Sequence, residues 1–174
     1  MGKPLIYVGE TESPIGPITV ACIDEGVCYV AFGSIPETEL QIKAWANKHM
    51  LHSEIVCDSE YTAEPIQQLQ EYFEGKRRNF TVPTCLKGTS FQKKVWKALE
   101  QIEYGTTKSY KDIAIEIGNP KAVRAVGGAN NQNPLSIFIP CHRVIGSSGA
   151  LVGYGGGLDK KERLLQLEQH FKNR

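Results

Sequence analysis

Cys141, His142 and Arg143 follow one another in the stretch Ile139-Pro140-Cys141-His142-Arg143-Val144. A thiol attacks carbon as its thiolate, and a neighbouring base or positive charge lowers the cost of making that anion. His142 offers the base, and the His142–Arg143 pair offers charge. On these residues alone two readings stand: a nucleophile, or a small buried hydrophobe, as a single cysteine behind an apolar run commonly is. Neighbouring side chains on extended backbone point to opposite faces. Coupling of Cys141 to His142 therefore requires a turn or a bridging water.

The elements around this stretch must position it. The apolar run Leu135-Ser136-Ile137-Phe138-Ile139 reads as a short buried strand. Pro140 removes a donor and holds Ile139 extended, which ends regular structure there and displays Cys141 at the mouth of a rigid element. Upstream, Ser109 with Asp112 three positions on has the form of a capping box opening a helix through Ile117, and Gly118 suits its C-terminus. Asn119 and Pro120 supply an N-cap and first-turn proline for a second helix over 121–130. Two short helices around a tight turn fit a helix-turn-helix. The second is slim, with Ala122, Ala125, Gly127, Gly128 and Ala129, and it carries Lys121 and Arg124. It suits close entry into a groove or tight packing on its partner helix. Downstream, the run Gly153-Tyr154-Gly155-Gly156-Gly157 permits close approach of backbone to a ligand. Asp159 with Glu162 suggests a box opening a last helix, with Leu164, Leu165 and Leu167 inward. Glu168 lies near the end of that helix, where the dipole disfavours a carboxylate unless it has a partner.

The rest of the chain reads as a separate unit. Leu5–Val8, Ile18–Ile23 and Val27–Phe32 form an antiparallel meander between turn residues. A helix begins near Pro36, Glu54–Cys57 is a short strand, and Thr62–Glu74 is a helix stopped by Gly75. Pro83–Gly88 is the boundary, and Ser90 caps a following helix with Phe91, Val95, Leu99 and Ile102 on one face.

Composition narrows the partners. Of 174 residues, 41% are hydrophobic and 22% charged, the balance of a soluble globular chain. The net charge of +1 hides an asymmetry, with 6 basic against 12 acidic residues over 1–86 and 14 against 7 over 87–174. A basic half points to a polyanion such as nucleic acid. The N-terminal Met1-Gly2-Lys3-Pro4 has no apolar leader, so a cytoplasmic protein is expected. Five irregularly spaced cysteines (Cys22, Cys28, Cys57, Cys85, Cys141) read as reduced thiols, and Cys-x5-Cys is poor zinc spacing.

Gly127-Gly128-Ala129-Asn130, Asn133-Pro134, Pro140-Cys141-His142-Arg143-Val144, Ser147-Ser148-Gly149 and the Tyr154 glycine run together resemble the O6-alkylguanine-DNA alkyltransferase family. Gly88-Thr89-Ser90-Phe91-Gln92 with Val95-Trp96 extends the match over 88–168, and Ser13-Pro14-Ile15-Gly16 is similar to the family's opening hairpin. The resemblance implies an α/β N-terminal domain of ribonuclease-H-like form, a small antiparallel sheet plus helices, over 1–86. It implies a mainly α C-terminal domain with a helix-turn-helix over 87–174. The implied activity is one irreversible transfer of an alkyl group from guanine O6, with O4-alkylthymine a further substrate class, in duplex DNA to Cys141. No cofactor, no metal and no obligate protein partner are implied, and the expected state is a monomer.

The resemblance also assigns roles. His142 would act as base through a water, with Glu168 orienting it, and Tyr110 would donate toward the guanine ring. Arg124 would take the place of the flipped nucleotide, with Lys121, Ala122, Ala125 and Gly127 along the minor groove. Asn133 would tie the helix-turn-helix to the active-site turn. Tyr154, Gly155 and Gly156 would line the base pocket, and backbone of Cys141 and Val144 would read the guanine edge. Gly155 stands where some relatives carry a serine. Two alternatives remain in view, a non-reacting sensor of alkylated bases and a helix-turn-helix regulator. A redox or hydrolytic thiol enzyme is a third.

Overall fold

The computed structural model describes residues 4–49 and 53–174. Residues 1–3, which fall within the stretch read for an apolar leader, and 50–52 lie outside the described residues. The chain divides into two compact units, Met1–Lys87 and Gly88–Arg174.

The first unit is built on a four-stranded sheet in the order β3-β2-β1-β4. Strands β1 (Leu5–Thr11), β2 (Ile18–Ile23) and β3 (Gly26–Phe32) form the expected antiparallel meander. β4 (Glu54–Cys57) departs from expectation by pairing parallel to β1. The sheet is mixed, because helix α1 (Ile35–Lys48) intervenes and returns the chain in the crossover that parallel pairing requires. Alternation along β1 assigns the faces. Ile6 and Val8 pack with Ile42 and Ala46 of α1. Gly9 meets Thr62 and Ile66, and Thr11 accepts a hydrogen bond from Gln70, so α2 (Ala63–Phe73) covers the other face.

The second unit is helical. Helix α3 (Ser90–Leu99) is capped by Thr89, not by Ser90. Thr89 is the residue placed three before Gln92, whose side chain closes the box on the Thr89 amide. Trp96 is buried and donates its indole N–H to the Ala129 carbonyl, 2.8 Å away. Helix α4 (Tyr110–Glu116) has the predicted Ser109–Asp112 box at its start. It ends in a Schellman arrangement, with Asn119 N–H on Ala114 and Gly118 N–H on Ile115, and Gly118 at φ 78°.

Two predicted helix starts shift. Helix α5 spans Val123–Asn131, and Asn119 does not cap it with its side chain. Residues 119–122 instead close a turn through the Ala122 amide and the Asn119 carbonyl, so Lys121 and Ala122 precede the helix. Helix α6 (Leu158–Lys172) starts from Gly157 and has no Asp159–Glu162 box. Gly157 sits at φ 101°, which excludes most other residues, and Asp159 lies within the first turn.

A pair of two-residue strands not expected from sequence, β5 (Lys108–Ser109) and β6 (Val144–Ile145), runs parallel and joins the start of α4 to the chain just past Cys141. The helix pair and the thiol therefore share one framework. Ser109→Ala should remove about 1 kcal/mol of stability, the usual worth of an N-cap. Urea denaturation tests this, and an unchanged midpoint would show that the box does not hold the start of α4.

Candidate active site

The predicted strand over 135–139 is instead a closed loop. Asn133 holds both of its ends, accepting from Leu135 N–H at 3.0 Å and donating to the Ile139 carbonyl at 2.9 Å. The Ile139 amide also bonds back to the Leu135 carbonyl. Ile137 sits at φ 76°, the non-glycine residue of positive φ among the described residues. That conformation costs a β-branched residue about 1–3 kcal/mol and is held here by burial on all sides. Apolar content predicted burial correctly; the Asn133 amide decides the shape.

Pro140 turns the chain, with φ −78° and ψ 63°, so the Cys141 amide reaches back to the Ile139 carbonyl at 2.7 Å. Cys141–Arg143 then form one 3-10 turn, and all three residues are buried. This is the turn that the adjacency of Cys141 and His142 demanded. The Val144 amide bonds to the Cys141 carbonyl, as does the Asn130 side-chain amide of α5 at 3.4 Å.

Glu168 gathers the basic residues of the turn. Its carboxylate lies 2.6 Å from His142 Nε2. It also accepts from Arg143 Nε at 2.8 Å, Arg143 Nη2 at 3.0 Å and the Gly105 amide at 3.0 Å. Arg143 Nη1 donates to the Ile102 carbonyl. Burial works to raise the Glu168 pKa, but the hydrogen bonds from His142 and Arg143, with the guanidinium's charge, outweigh it and hold the carboxyl far below its usual range. Burial lowers the His142 pKa against the pull of Glu168, so the imidazole is neutral at neutral pH. With Nε2–H directed at the carboxylate, Nδ1 carries the lone pair, and that atom is buried with no hydrogen-bond partner. A neutral imidazole with a free lone pair is a base in waiting.

The sequence reading looked to His142 and Arg143 for the charge that favours a thiolate. The structure corrects this. Arg143 is engaged by Glu168, and His142 is uncharged. Burial raises the Cys141 pKa; hydrogen bonding with Asn133, the charge of Lys161 and hydrogen bonding with Ser136 draw it back. The resting group is a thiol.

Lys161 was not singled out from sequence, yet it is fully buried and donates to the carbonyls of Val152 at 3.0 Å and Gly153 at 3.2 Å. Its signal was available. With Leu164 inward, positions three before and four after share its face, and these are Lys161 and Glu168. Leu165 and Leu167, expected inward, are only half-buried. Asn130 was also missed, and its Oδ1 is buried and unpartnered.

The remaining predicted residues fall in two groups. Tyr110 stands close enough to Cys141 for the sulfur's charge to act on it, and its hydroxyl donates to the Val152 carbonyl at 2.7 Å. Tyr154 has a buried hydroxyl and shares hydrogen bonding to Ser136 with Cys141. Gly156 is half-buried, and Gly155 is exposed with its nearest obstacle to a Cβ at 3.8 Å. On α5, Arg124, Ala125 and Gly128 are exposed, as is Lys121 just before it. A Cβ at Gly128 would meet nothing within 4 Å, and one at Gly127 only Tyr110 at 4.0 Å. At Gly128, then, helix packing does not require the missing side chain. Among the described residues no group of three or more His, Cys, Asp or Glu could hold a metal, and no helix is long and apolar enough to cross a membrane.

The sequence model of the 6-O-methylguanine DNA methyltransferase ribonuclease-like domain matches residues 6–86, and that of the DNA-binding domain matches residues 90–170. The chain belongs to the 6-O-methylguanine DNA methyltransferase family. It is 47% identical to the methylated-DNA–protein-cysteine methyltransferase of Methanosarcina acetivorans, covering 94% of this chain and 98% of that one. It is 44% identical to the constitutive protein of the same name from Bacillus subtilis, over 94% of this chain and 95% of the relative. The crystal structure of Mycobacterium tuberculosis OGT in complex with DNA superposes with a TM-score of 0.80 at 39% identity, covering 96% of this chain and 94% of that chain.

For this family member the Glu168 cluster sets a pH dependence. His142 is held below its ordinary 6.5 and Glu168 below its ordinary 4.5, so the unfolded chain binds more protons than the folded one as pH falls. Stability should decline as pH drops below 6.5 and decline more steeply below 4.5. Glu168→Gln should cost about 3–5 kcal/mol at neutral pH, because Arg143 is left buried without its counter-charge. It should also flatten the acid limb. Urea midpoints across the pH range test both, and an acid limb as steep in the variant as in the parent would refute the assignment.

Proposed function

We propose that this protein repairs DNA by moving the alkyl group of O6-alkylguanine, or of O4-alkylthymine, onto Cys141 in a single irreversible event. The arrangement that carries the reading is the buried thiol followed by a neutral His142, whose Nε2 is fixed on Glu168 and whose Nδ1 has no protein partner. The names of the relatives, methylated-DNA–protein-cysteine methyltransferases, support it.

The chemistry balances without a co-reactant. The thiol proton passes to His142 Nδ1 through a water, and Glu168 stabilises the imidazolium. The thiolate attacks the alkyl carbon, a carbon–sulfur bond forms, and the carbon–oxygen bond breaks with its electron pair going to guanine. The proton ends on guanine, assisted by Tyr110 once its hydroxyl leaves the Val152 carbonyl. The product thioether is uncharged and stable, so each molecule acts once.

A stacked base cannot present its O6 substituent to a buried sulfur in line, so the nucleotide must leave the duplex. The exposed Arg124 and Ala125 of α5, beside the half-buried Gly127 and preceded by Lys121 and Ala122, support minor-groove entry with Arg124 filling the vacated stack. In this reading residues 1–86 form the structural domain and 87–174 the DNA-binding and transfer domain. Asn133 links the helix pair to the thiol turn, Tyr154, Gly155 and Gly156 line the base pocket, and Val144 backbone reads the base edge. The protein works as a monomer in the cytoplasm, with duplex DNA its macromolecular partner. All five cysteines are free, as a reducing compartment would keep them.

Titration with methylated duplex should stop at one methyl per protein, located at Cys141 by peptide mapping. Cys141→Ala should abolish transfer and keep DNA binding; transfer to another cysteine in that variant, or sustained turnover in the parent, would sink the reading. Affinity should fall with salt at a slope of roughly 0.9 per phosphate neutralised. Arg124→Ala should weaken binding to a paired lesion more than to an unpaired one, since extrusion costs a few kcal/mol. Equal losses on both substrates would reduce Arg124 to a phosphate contact.

A further inference from the structure

Asn130 keeps an unmet acceptor next to the thiol turn. It is 2% exposed, in the last turn of α5, and its Nδ2 donates to the Cys141 carbonyl at 3.4 Å. A carbonyl only accepts, so this contact fixes the amide, with Nδ2 toward Cys141 and Oδ1 turned away from it. Oδ1 is buried and has no hydrogen-bond partner among the described residues. A buried amide oxygen left in this state is unfavourable, and an apolar side chain of the same shape would avoid the cost. The bond to Cys141 uses only the nitrogen and gives the oxygen no task.

The neighbours of Asn130 belong to the site. The Cys141 carbonyl already receives the Val144 amide and Asn130 Nδ2, which occupies both of its lone pairs. The same end of α5 meets the glycine run. A Cβ at Gly153 would stand 3.2 Å from Asn131 Oδ1 and 3.6 Å from the Tyr110 hydroxyl, and one at Gly155 would stand 3.8 Å from the Asn131 carbonyl. Asn130 and Asn131 are therefore where α5 touches both the thiol turn and the loop beside Tyr110.

A flipped base is read on its Watson–Crick edge. In guanine that edge carries O6, N1 and the exocyclic amine in order. Alkylation at O6 leaves N1 without its hydrogen, so the amine is the donor that remains on the edge. With the alkyl carbon facing the Cys141 sulfur, that donor lies among the groups around the Cys141 backbone. There the Cys141 carbonyl is taken, and Asn130 Oδ1 is the buried acceptor without a partner.

We propose that Asn130 is a specificity-determining residue, its Oδ1 accepting a hydrogen bond from the exocyclic amine of the alkylated guanine seated between the Cys141 turn and the glycine run. The proposal rests on the reading of Cys141 as the alkyl acceptor. In the free protein the oxygen is shut off from solvent, and the entering base supplies its donor. An alkylated thymine carries no such amine, so the contact favours guanine.

The test compares single-turnover transfer by the full chain from two duplexes. One contains O6-methylguanine, the other O6-methylhypoxanthine, the same base without its amine, and the methyl is located by peptide mapping. The parent should favour the guanine duplex by about tenfold or more, because the analogue leaves a buried acceptor unpaired. Asn130→Leu should lower that ratio by about tenfold, over and above any slowing common to both duplexes from the lost Cys141 contact. Should the Leu variant fail to fold, Asn130→Ala removes the same oxygen without adding bulk and serves in its place. A merely structural role would slow both duplexes equally. A parent ratio near one, or a ratio unchanged in the variant, overturns the proposal. Methyl found at Cys141 from either duplex upholds the acceptor reading whatever the ratio, so the two failures are told apart.

Discussion

A carboxylate buried with no exposure at residue 168 is the constraint on which the active site of the second unit depends. Burying Glu168 alone would be prohibitive. It is tolerated because the carboxylate is enclosed by a bidentate guanidinium, an imidazole and a backbone amide. Those partners come from the Cys141 turn and from the loop after α3, so one ion fixes three parts of the chain. The same bonds that neutralise Glu168 set the tautomer of His142 and remove Arg143 from the thiol's surroundings. Stability and chemistry are here the same set of contacts, and neither can be altered alone.

This arrangement would keep the proposed nucleophile inert at rest. Burial raises the thiol pKa, and the neutral base beside it has its lone pair available at Nδ1. A permanently ionised cysteine would react with any electrophile that reached it. In the proposed transfer a buried thiol with a poised base ionises only when the substrate is in place.

Much of this was legible in the residues. The Pro-Cys-His-Arg stretch, the Ser109 box, the Gly118 stop and the partner demanded by Glu168 could each be read from local chemistry, and each has a local cause. What could not be read depends on contacts distant in sequence. The loop at 135–139 passes for a strand because apolar content reports burial and not path, and a single Asn133 side chain closes it. The parallel placement of β4 follows from helix α1, which carries the chain back before it joins the β1 edge. The helix starts at Val123 and Leu158 were displaced by turn geometry at Asn119 and Gly157, where backbone conformation overruled a plausible side-chain pattern. Lys161 was within reach, since the register of Leu164 places it inward, but a lysine doublet suggests solvent.

The distance along the chain between the partners of Glu168 has a consequence for how the protein is made. Gly105 precedes it by 63 residues, and Arg143 and His142 precede it by 25 and 26. Domains fold as units while the chain emerges from the ribosome, N-terminal parts first. Until synthesis has passed Glu168, Arg143 has no anion to meet and the imidazole has nothing to fix its tautomer. With Cys141 as the proposed acceptor, the nascent chain carries its cysteine through most of its translation without the base that would ionise it, and reactivity would be acquired only as the last helix docks.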